Sequence, residues 1–388
     1  MNARRFGMLL AIAVIVIAGA FWLSAHRRPA QDASISAPVL PELKPALNAV
    51  TRLRISKGDG SQVTLERAAN DWQVAERHYP ADSGRVRKLL LDLASLDVVE
   101  EKTHDPSNYS VLGVDDPSGP ASQGVLVEIT AAAPLPALIV GKAAGSKQVY
   151  VRRRGNAASE LATPQITLDT APKSWLDRAL LDVTADRVRS VTVTVPGAPR
   201  YSAERANRAD PDLSIAAPLP KGRTLASPTA PNAALSSLTG LSIDDVRPLA
   251  EPAPAAPYEC VVKTFDGLVV ELAGSEEGEH RYLRVAAHVD PAARPPEVAA
   301  TATPAAAGNG TAPAPAPIRP LDQVEREADQ INARAHGVEF DIARYRFDGI
   351  FRPLDSMLNA SALNASARPA SNSVPRATRS GATPKGSD

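Results

Sequence analysis

A succession of apolar and turn-forming landmarks in the first half of this chain recurs in the second half. Val50, Leu53 and Ile55 are followed 138 positions later by Val188, Val191 and Val193, and Leu65-Glu66-Arg67 is followed at the same offset by Ala203-Glu204-Arg205. Further on, Leu93-Ala94-Ser95-Leu96 is matched by Leu238-Thr239-Gly240-Leu241, and Gly141 with the run through Tyr150 by Gly274 with the run through Tyr282. At the end, Leu176-Asp177 with Leu180 is matched by Phe347-Asp348 with Phe351. The order is kept, and the offsets drift only where connecting loops differ. A chain of 388 residues also exceeds one typical core. The repeat therefore predicts two related units, which we place at residues 48–184 and 185–358.

Local periodicity gives each unit its elements. Val50, Leu53 and Ile55, then Val63 and Leu65, follow a two-residue period around the turn signal Lys57-Gly58-Asp59-Gly60, which predicts a hairpin. Asp71-Trp72-Gln73-Val74 continues it. Val86, Leu89, Leu90, Leu93 and Leu96 then fall at three- and four-residue steps behind the N-cap candidates Asp82 and Ser83, which predicts an amphipathic helix. Strand-like runs follow near Val98, at Val125 to Ile129, at Leu138 to Val140 and at Val149 to Val151. The expected fold is α+β: a tandem of two related units of mostly antiparallel strands with one amphipathic helix each, after an N-terminal transmembrane helix.

Phe6 to Ala25 carry no charge. As a helix, twenty residues span about 30 Å, the thickness of a bilayer's hydrocarbon core. Arg4 and Arg5 precede the segment, Arg27 and Arg28 follow it, and Trp22 falls at the far interface. The reading is a cytoplasmic N-terminus at residues 1–5, an anchor at 6–25 and an exported body in the periplasm, held to the inner membrane by a single pass. A cleaved leader is the rival, with Ala18-Gly19-Ala20 as its cleavage site. Both readings export the body. Residues 26–47, rich in Ala, Pro and Ser, read as a linker. Residues 290–320 read as a disordered insertion in the second unit, just before a helical segment near Gln323 to Ala335, and 359–388 as a disordered, mildly basic tail.

Composition narrows the function. Lys plus Arg and Asp plus Glu both number 43, so there is no bulk charge to attract nucleic acid, and 4% aromatic residues argue against stacking on single strands. The one cysteine, Cys260, lies in an apolar run and reads as core; it leaves no intramolecular disulfide and no four-cysteine zinc site. None of the six histidines has a two-histidine metal spacing. His104-Asp105 reads as a surface pair, and His280 among Glu276, Glu277 and Glu279 as a hairpin tip. Asp115-Asp116-Pro117 offers paired carboxylates, but adjacent turn residues diverge. Gly141-Lys142 and Gly145-Ser146 lack the full spacing of a phosphate loop. No catalytic, cofactor-binding or metal-binding residue is assigned. Trp72, Trp175, Tyr150 and Tyr282, the larger aromatics in repeated elements, read as core or as an interaction platform, which would need exposed rings.

The succession V-x-x-L-x-I, L-E-R, Asp71-Trp72-Gln73-Val74, the helix ending Leu93-Ala94-Ser95-Leu96, the Tyr109 to Leu112 turn, Leu138-Ile139-Val140-Gly141, Tyr150-Val151 and Trp175-Leu176-Asp177-Arg178 resembles the bacterial domain of unknown function numbered 4340. The resemblance covers Val50 to Val195, with a weaker echo over the second unit. It implies a single-anchor envelope protein, often encoded beside ABC-transporter components resembling gliding-motility auxiliary proteins, and it transfers no catalytic residue. The expectation is a non-catalytic accessory or interaction module whose partners are the membrane and an envelope protein such as an ABC-type permease. A periplasmic module binding a glycan or peptide between the units is the second reading, and an envelope hydrolase the third.

Overall fold

A computed structural model describes residues 37–69, 71–294 and 318–359. The expected anchor, most of the expected insertion and all of the expected tail beyond Asn359 lie outside the described residues. Among those described, no helix is long and apolar enough to cross a membrane. The protein is mixed α+β, with two mostly antiparallel sheets and few helices. The described residues divide into two units. One runs through Arg178 and takes in Asp244–Pro248; the other comprises Ala179–Ile243 and the residues from Leu249 onward.

The first sheet has nine strands: β1 Arg52–Lys57, β2 Gln62–Ala68, β3 Asp71–Val74, β4 Tyr79–Pro80, β5 Asp97–Thr103, β6 Val125–Thr130, β7 Leu138–Ala144, β8 Gln148–Arg153 and β9 Ser159–Thr163. Their order is β4-β3-β2-β1-β6-β7-β8-β9-β5. Strand β1 shows why the chain pairs as it does. Leu53 and Ile55 are fully buried while Arg52 and Arg54 between them face water, and Leu53 stands opposite Leu65 and Ile55 opposite Val63. A one-residue slip would turn that whole apolar face outward. At Gly60, φ is +88°, the left-handed backbone that the hairpin turn needs and glycine adopts freely.

Three helices accompany this sheet: α1 Leu43–Ala46, α2 Ser83–Ala94 and α3 Tyr109–Leu112. Asp82, not Ser83, caps α2, its Oδ1 accepting the Arg85 N–H at 3.0 Å. Val86, Leu89, Leu90 and Leu93 are buried along one stripe, each contributing about 1.5–3 kcal/mol. Residues 37–47, read from the sequence as the end of a spacer, are packed: Val39, Leu40 and Leu43 are buried, and Pro38 bridges Asp97 at the β5 edge.

The second sheet also has nine strands: β10 Ala179–Leu181, β11 Val188–Thr194, β12 Tyr201–Glu204, β13 Ser214–Ile215, β14 Leu241–Pro248, β15 Tyr258–Thr264, β16 Leu268–Glu277, β17 His280–Val289 and β18 Val338–Ile342. Its order is β10-β14-β18-β17-β16-β15-β11-β12-β13. Read from the other end, β13-β12-β11-β15-β16-β17-β18-β14 repeats β3-β2-β1-β6-β7-β8-β9-β5 strand for strand, in the same chain order. The register agrees too: Val191 stands opposite Ala203 and Val193 opposite Tyr201, both shifted by 138 from the Leu53–Leu65 and Ile55–Val63 pairs.

Two of the sequence correspondences move. Val140 stands between Val125 and Val151, as Gly274 stands between Tyr258 and Leu283, so Gly274 occupies the ladder place of Val140 and not of Gly141. The counterpart of Trp175-Leu176 is Met357-Leu358 and not Phe347-Asp348. Trp175 O accepts from Asp82 N and Leu176 bridges Ala81, just as Met357 O accepts from Ala226 N and Leu358 bridges Leu225. The helices also diverge. Beside α4 Ala233–Leu238 and α5 Leu321–Ala335, the latter on the helical segment expected near Gln323 to Ala335, the second unit has a further helix, α6 Arg344–Ile350. At the near end of the expected insertion, Asp290 is hydrogen-bonded in place, its N–H donating to Gly267 O at 2.8 Å.

Candidate binding groove

In the second unit, α6 and the turn Leu354–Met357 form one wall of an open groove of about 600 Å³. Its floor follows from a missing side chain. Tyr258 and Gly274 are ladder partners, and the rings of Phe347 and Phe351 lie against the bare Gly274 backbone. A Cβ there would come within 2.6 Å of Phe351 Cε2 and 2.8 Å of Phe347 Cε2. Phe347 and Phe351 stand four residues apart on one helical face, with ring centroids 4.6 Å apart. Tyr258 meets Phe347 edge-on at 5.1 Å and Phe351 at 5.6 Å. The two phenylalanines are buried, Tyr258 is half-buried, and Tyr345 on the rim is 70% exposed.

The surrounding contacts hold α6 in place. The Arg346 guanidinium donates to the carbonyls of Ser236 at 2.7 Å and Thr239 at 3.0 Å, a cation placed on the orphan carbonyls that end α4. Tyr201 donates its hydroxyl to Arg352 O at 3.0 Å. Glu276 lines the groove and pairs with Arg281 at 3.3 Å; Asp348 pairs with Arg344 at 3.6 Å. Burial, followed by the Glu276 carboxylate, pushes the Tyr258 phenol above its ordinary range, so it is a neutral donor at neutral pH. The half-buried Tyr258 and exposed Tyr345, backed by the two buried phenyl rings and rimmed by carboxylate and guanidinium groups, can meet an amphipathic partner and orient it by hydrogen bonds.

The four aromatics singled out in the sequence do not come together. Trp72 and Trp175 are buried in the first unit, and Trp175 donates its indole N–H to Asp169 O at 2.9 Å with Arg85 stacked 4.5 Å from the ring centre. Tyr150 packs half-buried on a cluster of Tyr109, Val114, Leu126 and Ile139. Tyr282 lies in the second unit, half-buried, stacked on His280 at 5.8 Å. The groove residues Tyr258, Tyr345, Phe347 and Phe351 were missed. Their signal was the i, i+4 pair Phe347 and Phe351, which the repeat assigned to another place.

The polar pairs resolve into structure. Asp116 accepts from the buried Arg152 at 2.6 Å while Asp115 accepts from the Gln123 N–H, so the adjacent carboxylates diverge. Arg152 also donates to Val114 O and Asn156 O and lies 4.4 Å over the Tyr109 ring. His104 pairs with Glu101 on the surface, and His280 with Asp341 at 2.6 Å. Among the described residues no three His, Cys, Asp or Glu side chains gather as a metal site. Burial pushes the Cys260 thiol up to about 12, a core thiol and not a nucleophile.

No curated protein and no solved structure matches this chain. Residues 72–260, from β3 to the middle of β15, match the family model described as Domain of unknown function (DUF4340), which supports that domain family for this segment.

Proposed function

We propose that this chain is a membrane-anchored envelope protein acting as a non-catalytic interaction module, with the groove of the second unit as its docking site for an envelope protein partner, an ABC-type permease being the class that the family resemblance implies. The single observation behind this reading is the aromatic cluster at the groove, in which two buried phenyl rings back the half-buried Tyr258 and the exposed Tyr345. The chain has only 7 Tyr and 6 Phe, and two of each line this one concavity, with Tyr345 facing solvent. Aromatic side chains dominate the energetic centres of protein interfaces. The uncharged segment Phe6 to Ala25 supports the anchor and the export of the body. The two sheets of equal strand order support an internal duplication.

The test is crosslinking followed by affinity purification from detergent-solubilised membranes. A specific partner recovered with the native chain and lost with Tyr345→Ala supports the reading; recovery of the chain alone counts against it. A reporter fused after the second unit and found in the cytosol would remove the envelope assignment.

The half-exposed Tyr258 beside Glu276 also favours a second reading, a peptide or glycan held in the same groove. The version of that reading built on Trp72 and Trp175 loses ground, because both rings are buried.

A further inference from the structure

A second cavity of the second unit, about 230 Å³, is walled by the turn Ala185–Arg187, by Phe265 and Asp266 between β15 and β16, and by Ile318 and Arg319 before α5. Its back wall is a fixed cation. Arg187, 5% exposed, donates Nε–H to Asp266 at 2.9 Å and its two terminal nitrogens to both oxygens of Glu327, at 2.8 and 2.7 Å. Asp266 also accepts the Thr264 hydroxyl, and Glu327 also accepts from Arg319 at 3.1 Å. The two inner carboxylates are thus committed to these donors.

Arg208 is placed differently. It lines the same cavity with its side chain 17% exposed, and its Nε is buried with no hydrogen-bond partner. Its carboxylate neighbour Asp186 approaches only to 3.9 Å and is half-exposed. That Nε is sealed from the cavity, so a bound group would meet the terminal nitrogens, whose ion pair with Asp186 is long. The second terminal hydrogens of Arg187, the rest of the Arg319 fork and the Thr184 hydroxyl add donors on the same wall. The cavity therefore offers donors left over after its acceptors are used, while its three arginines are matched in charge by Asp186, Asp266 and Glu327.

We propose that this cavity binds a small oxyanion, a phosphate or carboxylate group, with Arg208 as its principal ligand and Arg319 and Thr184 as further donors. The planar guanidinium fork matches two oxygens of such a group. At about 30 Å³ per water in the liquid, the volume is room for roughly eight waters, enough for a phosphate group with part of an attached glycerol. Two sources share this chemistry: a free anion, and the phosphate diester of a lipid headgroup. The site is separate from the aromatic groove and does not depend on the function proposed for it.

The experiment is titration calorimetry of the full chain in nonionic detergent at fixed ionic strength, with inorganic phosphate and with glycerophosphoglycerol as probes. Saturable binding of either probe, weakened about tenfold or more in Arg208→Gln, is the expected result. Tighter binding of the diester assigns the site to a lipid headgroup, and tighter binding of phosphate to a free anion. Arg208→Gln should keep the native urea midpoint, because its one ion pair is long. Should that variant fail to fold, Arg208→Lys is read in its place: about tenfold weaker binding of the same probe supports the site. Absence of binding by the native chain, or binding unchanged in the substituted chain, overturns the proposal.

Discussion

Replacing Trp175 by alanine separates a structural tryptophan from a ligand platform. Its ring is 2% exposed, its indole N–H donates to Asp169 O at 2.9 Å, and Arg85 covers one face at 4.5 Å. Removing a buried ring of this size costs about 3–5 kcal/mol, including the cavity left behind. The backbone carbonyl of Trp175, which accepts from the α2 cap residue Asp82 at 2.8 Å, survives the substitution, so the loss reports on the ring. Trp175→Phe keeps most of the apolar area and abandons only the indole donor, which costs about 1–2 kcal/mol through the orphaned carbonyl and the smaller ring. Urea unfolding followed by far-ultraviolet circular dichroism reads both. With a slope of about 2 kcal/mol per molar, the alanine variant should shift the first unit's midpoint down by about 2 M, and the phenylalanine variant by less than half of that. An alanine variant with the native midpoint would refute the core assignment and return Trp175 to the list of binding residues.

Three further outcomes follow from the second unit. Gly274→Ala places a Cβ within 2.6 Å of Phe351 and 2.8 Å of Phe347, and should cost about 1–3 kcal/mol in thermal or urea unfolding as the rings are forced off β16. Burial works against the charge of Asp266, but the hydrogen bonds from Thr264 and Arg187 outweigh it and hold the carboxyl below its ordinary value of 3.8. Its contribution to stability is therefore complete above that value and is lost as pH falls through the lower folded value; Asp266→Asn should flatten the acid limb of a stability–pH curve. Cys260, buried and pushed up to about 12, should resist an aromatic disulfide reagent in the native chain at neutral pH and react on denaturation; rapid native labelling would contradict the packing described.

The sheet was legible because a two-residue apolar period leaves little freedom. Leu53, Ile55, Val63 and Leu65 dictated both the hairpin and its register, and the same spacing at Val191, Val193, Tyr201 and Ala203 carried over. The 3.6-residue stripe of α2 was equally plain. Strand β9 was not, because Ser159-Glu160-Leu161-Ala162-Thr163 has too few large apolar residues to announce itself, and it pairs by sitting between β8 and β5. The packing of Val39, Leu40 and Leu43 was hidden by the proline-rich composition around them. The groove was hidden for another reason. Phe347 and Phe351 were visible as a pair, but a side chain's exposure depends on what lies across from it, and the position facing them is Gly274, distant in sequence.

That glycine is where the two units part. At the matching ladder place the first unit has Val140, buried between Val125 and Val151, and this side chain fills the space that Gly274 leaves open to two phenyl rings. The first unit spends twelve residues on α2 after its cap, whereas the second has only six in α4 and packs α6 beside them, with Gly349 so close to Ser237 that a Cβ there would displace the Ser237 hydroxyl. The shared strand order therefore fixes where backbone runs, and the exchange of one valine for glycine, together with a shorter helix, decides which unit has room for an aromatic concavity. The proposed docking at this groove therefore turns on positions where the two units differ, and substitutions at Gly274 and Gly349 test it more directly than any change to the strands that both units share.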